Sequence, residues 1–471
     1  MTETKPLHRV VIVGGGFGGL LAARGLRNSR VQVTMIDRRN FHLFQPLLYQ
    51  VATGGLSPAN IAAPLRSVLR KQRNTCVLLG EVEDFDLTLR TVRLADGNKV
   101  PFDSLVVSTG STHHYFGNEA WADLAPGLKT IEDATEIRRR ILSAFERAER
   151  TTNPEVRKRL MTFVIVGGGP TGVEMAGAIS ELARVTMRRD FRAINPAEAR
   201  IVLIEGQTRV LPMFHERLSQ KALASLEKLQ IETHLDCHVI SIEPEHVEFK
   251  LDGGKAENQR IATSTVVWAA GVKANPLGAK LAAAAAFQVK LDRAGRVVVK
   301  PDCSIPGHAE VFVVGDLANF TGSDGKPLPG VAPVAMQQGS YVADLIHGRI
   351  LGKNAPGPFH YWDKGSMATI GRAKAVAESH GLKFSGLLAW LAWLFIHIMY
   401  LARFENRVLV LSQWFFNYIT RNRAARLITG EHALAASHVP PSVTEPPVNI
   451  TTTDDPRHLE DAPAAASTTQ V

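Results

Sequence analysis

"RVVIVGGGFGGLLAARGL", Arg9 to Leu26, decides how this chain folds, and a near copy, "TFVIVGGGPTGVEMAGAI", returns at Thr162 to Ile179. In the first copy the β-branched run Val10 to Val13 reads as a buried parallel strand, and the alanine-rich run after the glycines reads as a helix. Between them Gly14, Gly16 and Gly19 fit G-x-G-x-x-G. The first glycine permits a tight turn, the second lets a pyrophosphate approach the backbone, and the third lets helix and strand pack closely. The helix N-terminus then presents free N–H groups and a partial positive charge to the phosphates. A second strand, "VQVTMID", ends at Asp37, where an acidic side chain meets an adenosine ribose hydroxyl.

The second copy repeats the plan with Gly167, Gly169 and Gly172, and the strand "RIVLIE" ends at Glu205. The longer gap before Glu205 calls for a helix extension around Val185 to Asn195. Two fingerprints with two terminal acids imply two dinucleotides. A carboxylate at Glu205 repels a 2′-phosphate and so favours NADH over NADPH, although Arg209 stands near enough in sequence to accept one.

At 471 residues the chain is long enough for two or three domains. Its net charge of +9 calls for an anionic partner. No RNA-binding signature or zinc-finger spacing is present, which leaves anionic lipid ahead of nucleic acid, and no metal-ligand spacing is found. Cys76, Cys237 and Cys303 are far apart with no C-x-x-C pair, which argues for three buried structural thiols in a reducing compartment and against a redox dithiol. "MTETKPLH" runs straight into the first strand, leaving no room for a signal peptide and placing the nucleotide domains in the cytoplasm.

Further along, "SLVVSTG" reads as a buried strand ending at Thr109 and Gly110, mirrored in the second half by "TVVWAAG". Helical patterning spans Asp133 to Arg150, and the charged stretch Thr151 to Arg159 reads as a linker. In "AEVFVVGDLANF" a strand ends at Gly315–Asp316, which sets a carboxylate where ligands of open α/β sheets lie; a capping turn is the alternative. "LLAWLAWLFIHIMYLA", Leu387 to Ala402, would make a helix of about 24 Å, short of the roughly 30 Å of a bilayer core. In the next segment Gln413, Asn417, Thr420 and Arg421 share one helical face, with Leu411, Trp414, Phe415 and Tyr418 opposite. That is the pattern of an interfacial helix on anionic lipid, or of a core or homodimer contact. Beyond Gly430 the composition is that of a disordered tail.

These residues resemble the flavin-dependent pyridine-nucleotide oxidoreductases over nearly all of residues 8–345. Within that group the chain is most similar to the type II NADH:quinone oxidoreductases of actinobacterial, mycobacterial type: single-subunit, non-pumping respiratory dehydrogenases. "FQPLLYQVATG", "GGGPTGVEMAG", "APVAMQQG" and "YWDKGSMATIGRAKAV" carry the likeness. The resemblance implies an α/β fold of two Rossmann-like units: an FAD domain from 1–120 and 300–345, an NADH domain at 155–280, a membrane-anchoring region at 346–430 and a tail at 431–471. It implies an FAD site from Gly14, Gly16, Gly19, Asp37, Thr109, Gly110, Asp316 and Ala335, and an NADH site from Gly167, Gly169, Gly172, Glu174 and Glu205. The quinone, menaquinone by the actinobacterial likeness, would meet Ala332, Gln337 and Gln338. Pro333 stands where the family's A-Q-x-A-x-Q has its first glutamine. Glu174, Gln337, Gln338 and Lys364 are the candidate catalytic residues, and the expected location is peripheral on the cytoplasmic side of the cell membrane. A reductase of a protein acceptor and an NADH-sensing flavoprotein remain as alternatives.

Overall fold

The computed structural model describes residues 6–251, 257–286, 288–353 and 356–429, so the expected tail at 431–471 lies outside the described residues. Its first layer is a six-stranded sheet in the order Ser304–Ile305, His308–Val313, Ser104–Val107, His8–Val13, Val31–Asp37, Thr75–Leu79. The five longer strands are parallel. Successive side chains of a strand point to opposite faces. Val10 and Ile12 accordingly enter one core cluster, and Val11 and Val13 enter another on the far side. Burial on both faces explains why the strand reads as an unbroken apolar run.

The second fingerprint builds a smaller parallel sheet, Ile231–His234, Arg200–Ile204, Thr162–Val166, Thr265–Trp268. A short antiparallel ribbon of Ser111–His113 with Val272–Ala274 ties the two units together. The helix Leu277–Ala284 that follows packs against the first sheet, so chain returns to that unit before residue 300.

Three helices position the site. Helix α1, Phe17–Gly25, follows the first fingerprint, α2, Pro170–Glu181, follows the second, and α3 runs from Ala332 to Ile350. A Cβ at residue 339 would stand 2.2 Å from the Gly18 carbonyl oxygen. Only glycine at 339 lets α3 come this close to α1, and this contact sets the N-terminus of α3 beside the first fingerprint.

A three-stranded antiparallel sheet, Ser366–Thr369, Ala375–Ser379 and Leu382–Gly386, leads into two C-terminal helices, α4, Leu387–Tyr400, and α5, Phe404–Thr420. Among the described residues no helix is long and apolar enough to cross a membrane.

Four sequence expectations change here. Thr151 to Arg159 is not a plain linker: Pro154–Leu160 is a helix, started by the Asn153 side chain accepting from the Glu155 and Val156 N–H groups. Beyond Thr186 the helical extension toward Asn195 stops, because the Glu149 carboxylate accepts from the Arg192, Ala193 and Ile194 amides and folds that stretch onto the helix Ile131–Arg150. Cys76 is exposed, unlike Cys237 and Cys303. It lies on an edge strand where its neighbour Val77 takes the inward position. Trp414 does not share the outer face of α5 with Phe415; it belongs to the inward stripe described below.

Candidate active site

The two fingerprints fold alike to the level of single hydrogen bonds. Gly14 N–H donates to Ile36 O at 2.8 Å, and Gly167 N–H to Ile204 O at 2.7 Å. Gly14 has φ +100° and Gly167 φ +110°, values open to glycine. A Cβ at residue 19 would fall 1.9 Å from Gly14 O, and one at residue 172 would fall 1.8 Å from Gly167 O. Nothing stands within 4 Å of a Cβ at Gly16 or Gly169, so in both units the second glycine faces open space at the helix N-terminus. That is the division of labour a pyrophosphate requires.

The acids close the loops. Asp37 accepts from Gly15 N–H at 2.6 Å and from Arg39 N–H at 2.7 Å. Glu205 accepts from Gly168 N–H, and from Gln207 N–H at 2.7 Å. Arg209 is turned away, donating to Pro212 O at 2.9 Å. In this arrangement it offers nothing to a 2′-phosphate.

A cavity of about 600 Å³ opens at the C-terminal ends of the first sheet's strands. Gly14, Gly16, Asp37, Thr109, Gly110 and Asp316 line it, together with Ala332 and Ala335 from α3. Gly19 does not, since its work is packing. The Thr109 hydroxyl is buried without a hydrogen-bond partner, an orphan that calls for a ligand. Asp316 accepts from the Ser111 hydroxyl at 2.7 Å, and Lys129 donates to Ser111 Oγ at 2.5 Å with Asp316 3.6 Å away. These residues fit FAD: an open diphosphate cradle, a ribose acid, and a polar cluster for the ribityl hydroxyls.

Glu174, on α2, reaches this cavity from the second unit. Thr369 N–H donates to its carboxylate at 3.3 Å, and burial pushes its pKa up to about 8. Tyr49 stands beside it with its hydroxyl 3.2 Å from Thr369 Oγ1, and burial likewise raises its pKa. Both residues also line a second cavity of about 390 Å³, walled by Trp390, Trp393 and Trp414 of the C-terminal helices.

The polar residues of α3 lie apart from both cavities. Gln338 is fully buried, its amide oxygen accepting from Gly315 N–H at 2.7 Å, so it braces the turn that presents Asp316. Gln337 exchanges two hydrogen bonds with the Trp362 backbone, at 2.9 and 3.0 Å. Lys364 donates to the Tyr400 hydroxyl at 2.8 Å and ties the connecting segment to α4. Among the described residues no cluster could hold a metal ion.

Helix α5 is built inside out. Asn406, Val410, Trp414 and Asn417 recur at helical spacing and face the protein. Asn406 donates to the carbonyls of Ala59, Asn60 and Ala62, Trp414 to Gln50 Oε1 at 2.7 Å, and Asn417 to Gly55 O at 3.1 Å. The opposite side leaves Phe404 75%, Phe415 61% and Phe416 62% exposed, and α4 leaves Leu388 71% exposed.

Comparison with known proteins decides among the readings. Residues 8–339 match the pyridine nucleotide-disulphide oxidoreductase family, and residues 363–422 match the NDH2 C-terminal domain. The chain is 47% identical over 437 residues to the type II NADH:quinone oxidoreductase Ndh of Mycobacterium tuberculosis, covering 92% of each chain. The chain belongs to the type II NADH:quinone oxidoreductases. The Staphylococcus aureus type II NADH:quinone oxidoreductase is 29% identical, with 80% of this chain and 91% of that protein covered. The Plasmodium falciparum NDH2 structure in complex with NADH superposes with a TM-score of 0.81 at 19% identity, over 90% of this chain and all of that one, and shows the shared fold.

As a type II NADH:quinone oxidoreductase, the enzyme is an FAD-dependent dehydrogenase that oxidises NADH and reduces a quinone. Tyr49, Lys129 and Ser111 enter its site without having been picked out from the sequence. Tyr49 sits inside "FQPLLYQVATG", a segment the resemblance marks. Lys129 precedes the capping box of the helix Ile131–Arg150, and nothing in its local sequence points to Asp316, which comes near only through the fold.

Proposed function

We propose that this enzyme docks peripherally on the cytoplasmic face of the cell membrane and passes electrons from NADH to menaquinone without moving protons across the bilayer. NADH takes the second cradle, its ribose on Glu205 and its pyrophosphate at Gly169. When bound, FAD would supply the two-electron redox chemistry between NADH and the quinone. The chain's own residues do the rest. Thr109, Asp37 and the Asp316–Ser111–Lys129 cluster hold the cofactor, while Ala332 and Ala335 keep the wall toward the acceptor low. Gln337 and Lys364, pinned on Trp362 and Tyr400, frame the quinone entry, and Gln338 holds the Gly315 turn in place. Burial favours the protonated form of Glu174, which stands in the flavin cavity, where it can give a proton as the quinone is reduced.

The observation that carries the membrane reading is the outward apolar face of α4 and α5, whose polar side chains are spent on the protein. Among the described residues no helix is long and apolar enough to cross a membrane, which supports the non-pumping reading. The test is NADH oxidation by the FAD-loaded protein on vesicles containing menaquinone, beside NADPH and beside quinone-free vesicles. Turnover that needs both NADH and quinone supports the reading. Rapid reduction by NADH with no response to quinone points to a protein acceptor instead.

A further inference from the structure

Duplication carries the contact surface of the first cradle onto the second. In the first unit Val13 pairs with Val107, and the strand Ser104–Val107 runs on through Ser108 and Thr109 to Gly110, which lines the flavin cavity. In the second unit Val166 pairs with Trp268, and the strand Thr265–Trp268 runs on through Ala269 and Ala270 to Gly271. The match holds in detail: a Cβ at residue 14 would fall 2.6 Å from Ser108 O, and one at residue 167 would fall 2.6 Å from Ala269 O. Gly271 is the counterpart of Gly110. It also borders the crevice between Thr162–Val166 and Thr265–Trp268, where the strand order reverses and a ligand of an open α/β sheet lies.

An aromatic ring stands on this glycine. A Cβ at residue 271 would fall 2.9 Å from Cζ of Phe116. Phe116 is 62% exposed and has φ +53°, a left-handed backbone that is costly for a bulky residue. Its neighbour holds it there. His114 meets the ring edge to face, with 4.5 Å between centroids. The His114 N–H donates to Gly271 O at 3.2 Å, and its carbonyl accepts from the Trp268 indole N–H at 2.9 Å. An exposed ring on a strained backbone gains little from the core, and such strain is kept where a ligand offsets it.

We propose that Phe116 is a substrate-binding residue that flanks the nicotinamide half of NADH. Glu205 takes the adenosine ribose on one side of the fingerprint strand and Gly169 the diphosphate at its tip, so the rest of the molecule continues toward Gly271 on the other side. There the ring supplies an apolar wall for a flat, neutral dihydronicotinamide and holds it for hydride transfer. The inference rests on the reading that NADH takes the second cradle.

The experiment is anaerobic stopped-flow reduction of the full-length, FAD-loaded enzyme by NADH, with ADP-ribose as competitor, since it carries every part of NADH except the nicotinamide ring. Phe116→Ala should raise the apparent Kd for NADH about fivefold and slow the limiting rate of flavin reduction. The inhibition constant of ADP-ribose should stay within about twofold of the parent's. Phe116→Tyr should restore both NADH values. Phe116→Asn, whose side chain suits the left-handed backbone, should behave as Phe116→Ala does without disturbing the loop. Flavin content and melting curves check that each variant is folded. An unchanged Kd and rate for NADH in the Ala and Asn variants overturns the proposal. Equal weakening of NADH and ADP-ribose also overturns it, and makes Phe116 a prop of its loop. Gly169→Ala separates this inference from the reading beneath it, and should weaken both ligands. If it does so while the Phe116 variants bind NADH as the parent does, the role of Phe116 falls alone; if it affects neither ligand, the second cradle falls as the NADH site and the proposal with it.

Discussion

The glycines of each fingerprint do separable work, and single substitutions should separate them. Gly19→Ala and Gly172→Ala each drive a methyl against a backbone carbonyl in a position that cannot yield. Each should lower the unfolding free energy by about 1–3 kcal/mol, read by chemical denaturation. Gly16→Ala and Gly169→Ala add a methyl to open space and should leave that stability near the parent's. Gly16→Ala should lose FAD on gel filtration, and Gly169→Ala should raise the KM for NADH. Glu174 gives a pH signature. Burial raises its folded-state pKa from 4.5 to about 8, so the folded state resists ionisation and stability should fall as pH rises through that interval. Glu174→Gln has no proton to lose and should flatten that slope; in stopped-flow it should leave flavin reduction by NADH intact and slow reoxidation by quinone. The glycines and acids were legible because the motif states its own geometry. Gln338 was legible as a residue but not as a brace, since its partner Gly315 N–H lies on a different element.

At the level of elements, α5 shows a periodicity read with one residue misplaced, Trp414 turning inward beside Asn417 and away from Phe415. Polar and apolar faces do alternate, yet the amide face turns inward, because unpaired carbonyls at Ala59, Asn60 and Ala62 need donors and Asn406 supplies them. Spacing alone cannot say which face meets water when the second solvent is lipid. Asn406→Ala removes the donor to three part-buried carbonyls and should destabilise the C-terminal helices by about 1 kcal/mol, visible as earlier proteolysis near α5 with the nucleotide units still intact. Phe415→Glu with Phe416→Lys leaves every inward contact in place. That variant should bind FAD and reduce a water-soluble electron acceptor at the parent's rate while failing to float with vesicles or to oxidise NADH through membrane menaquinone.

For the whole molecule, duplication is the organising fact: two parallel sheets, each with a glycine turn and a terminal acid, are joined by one antiparallel ribbon. The duplication was visible at once, whereas the chain's return to the first unit was implied only by the family resemblance and begins earlier, at the helix Leu277–Ala284, before the strands at 304–313 join the sheet. The junction between the units was not, because Ser111–His113 and Val272–Ala274 pair across a long sequence separation that no local pattern announces. Reconstituted with menaquinone and a trapped pH dye, the enzyme should oxidise NADH with no change of lumenal pH; acidification would contradict the non-pumping reading. The inside-out helices have a further consequence. On the membrane reading proposed above, the bilayer is a ligand of the native state and not of the unfolded one, and mass action then links folding to the amount of amphiphile present. The enzyme's heat resistance is therefore a property shared with its surroundings. Dilution away from lipid should cost it stability before it costs it any contact within the chain.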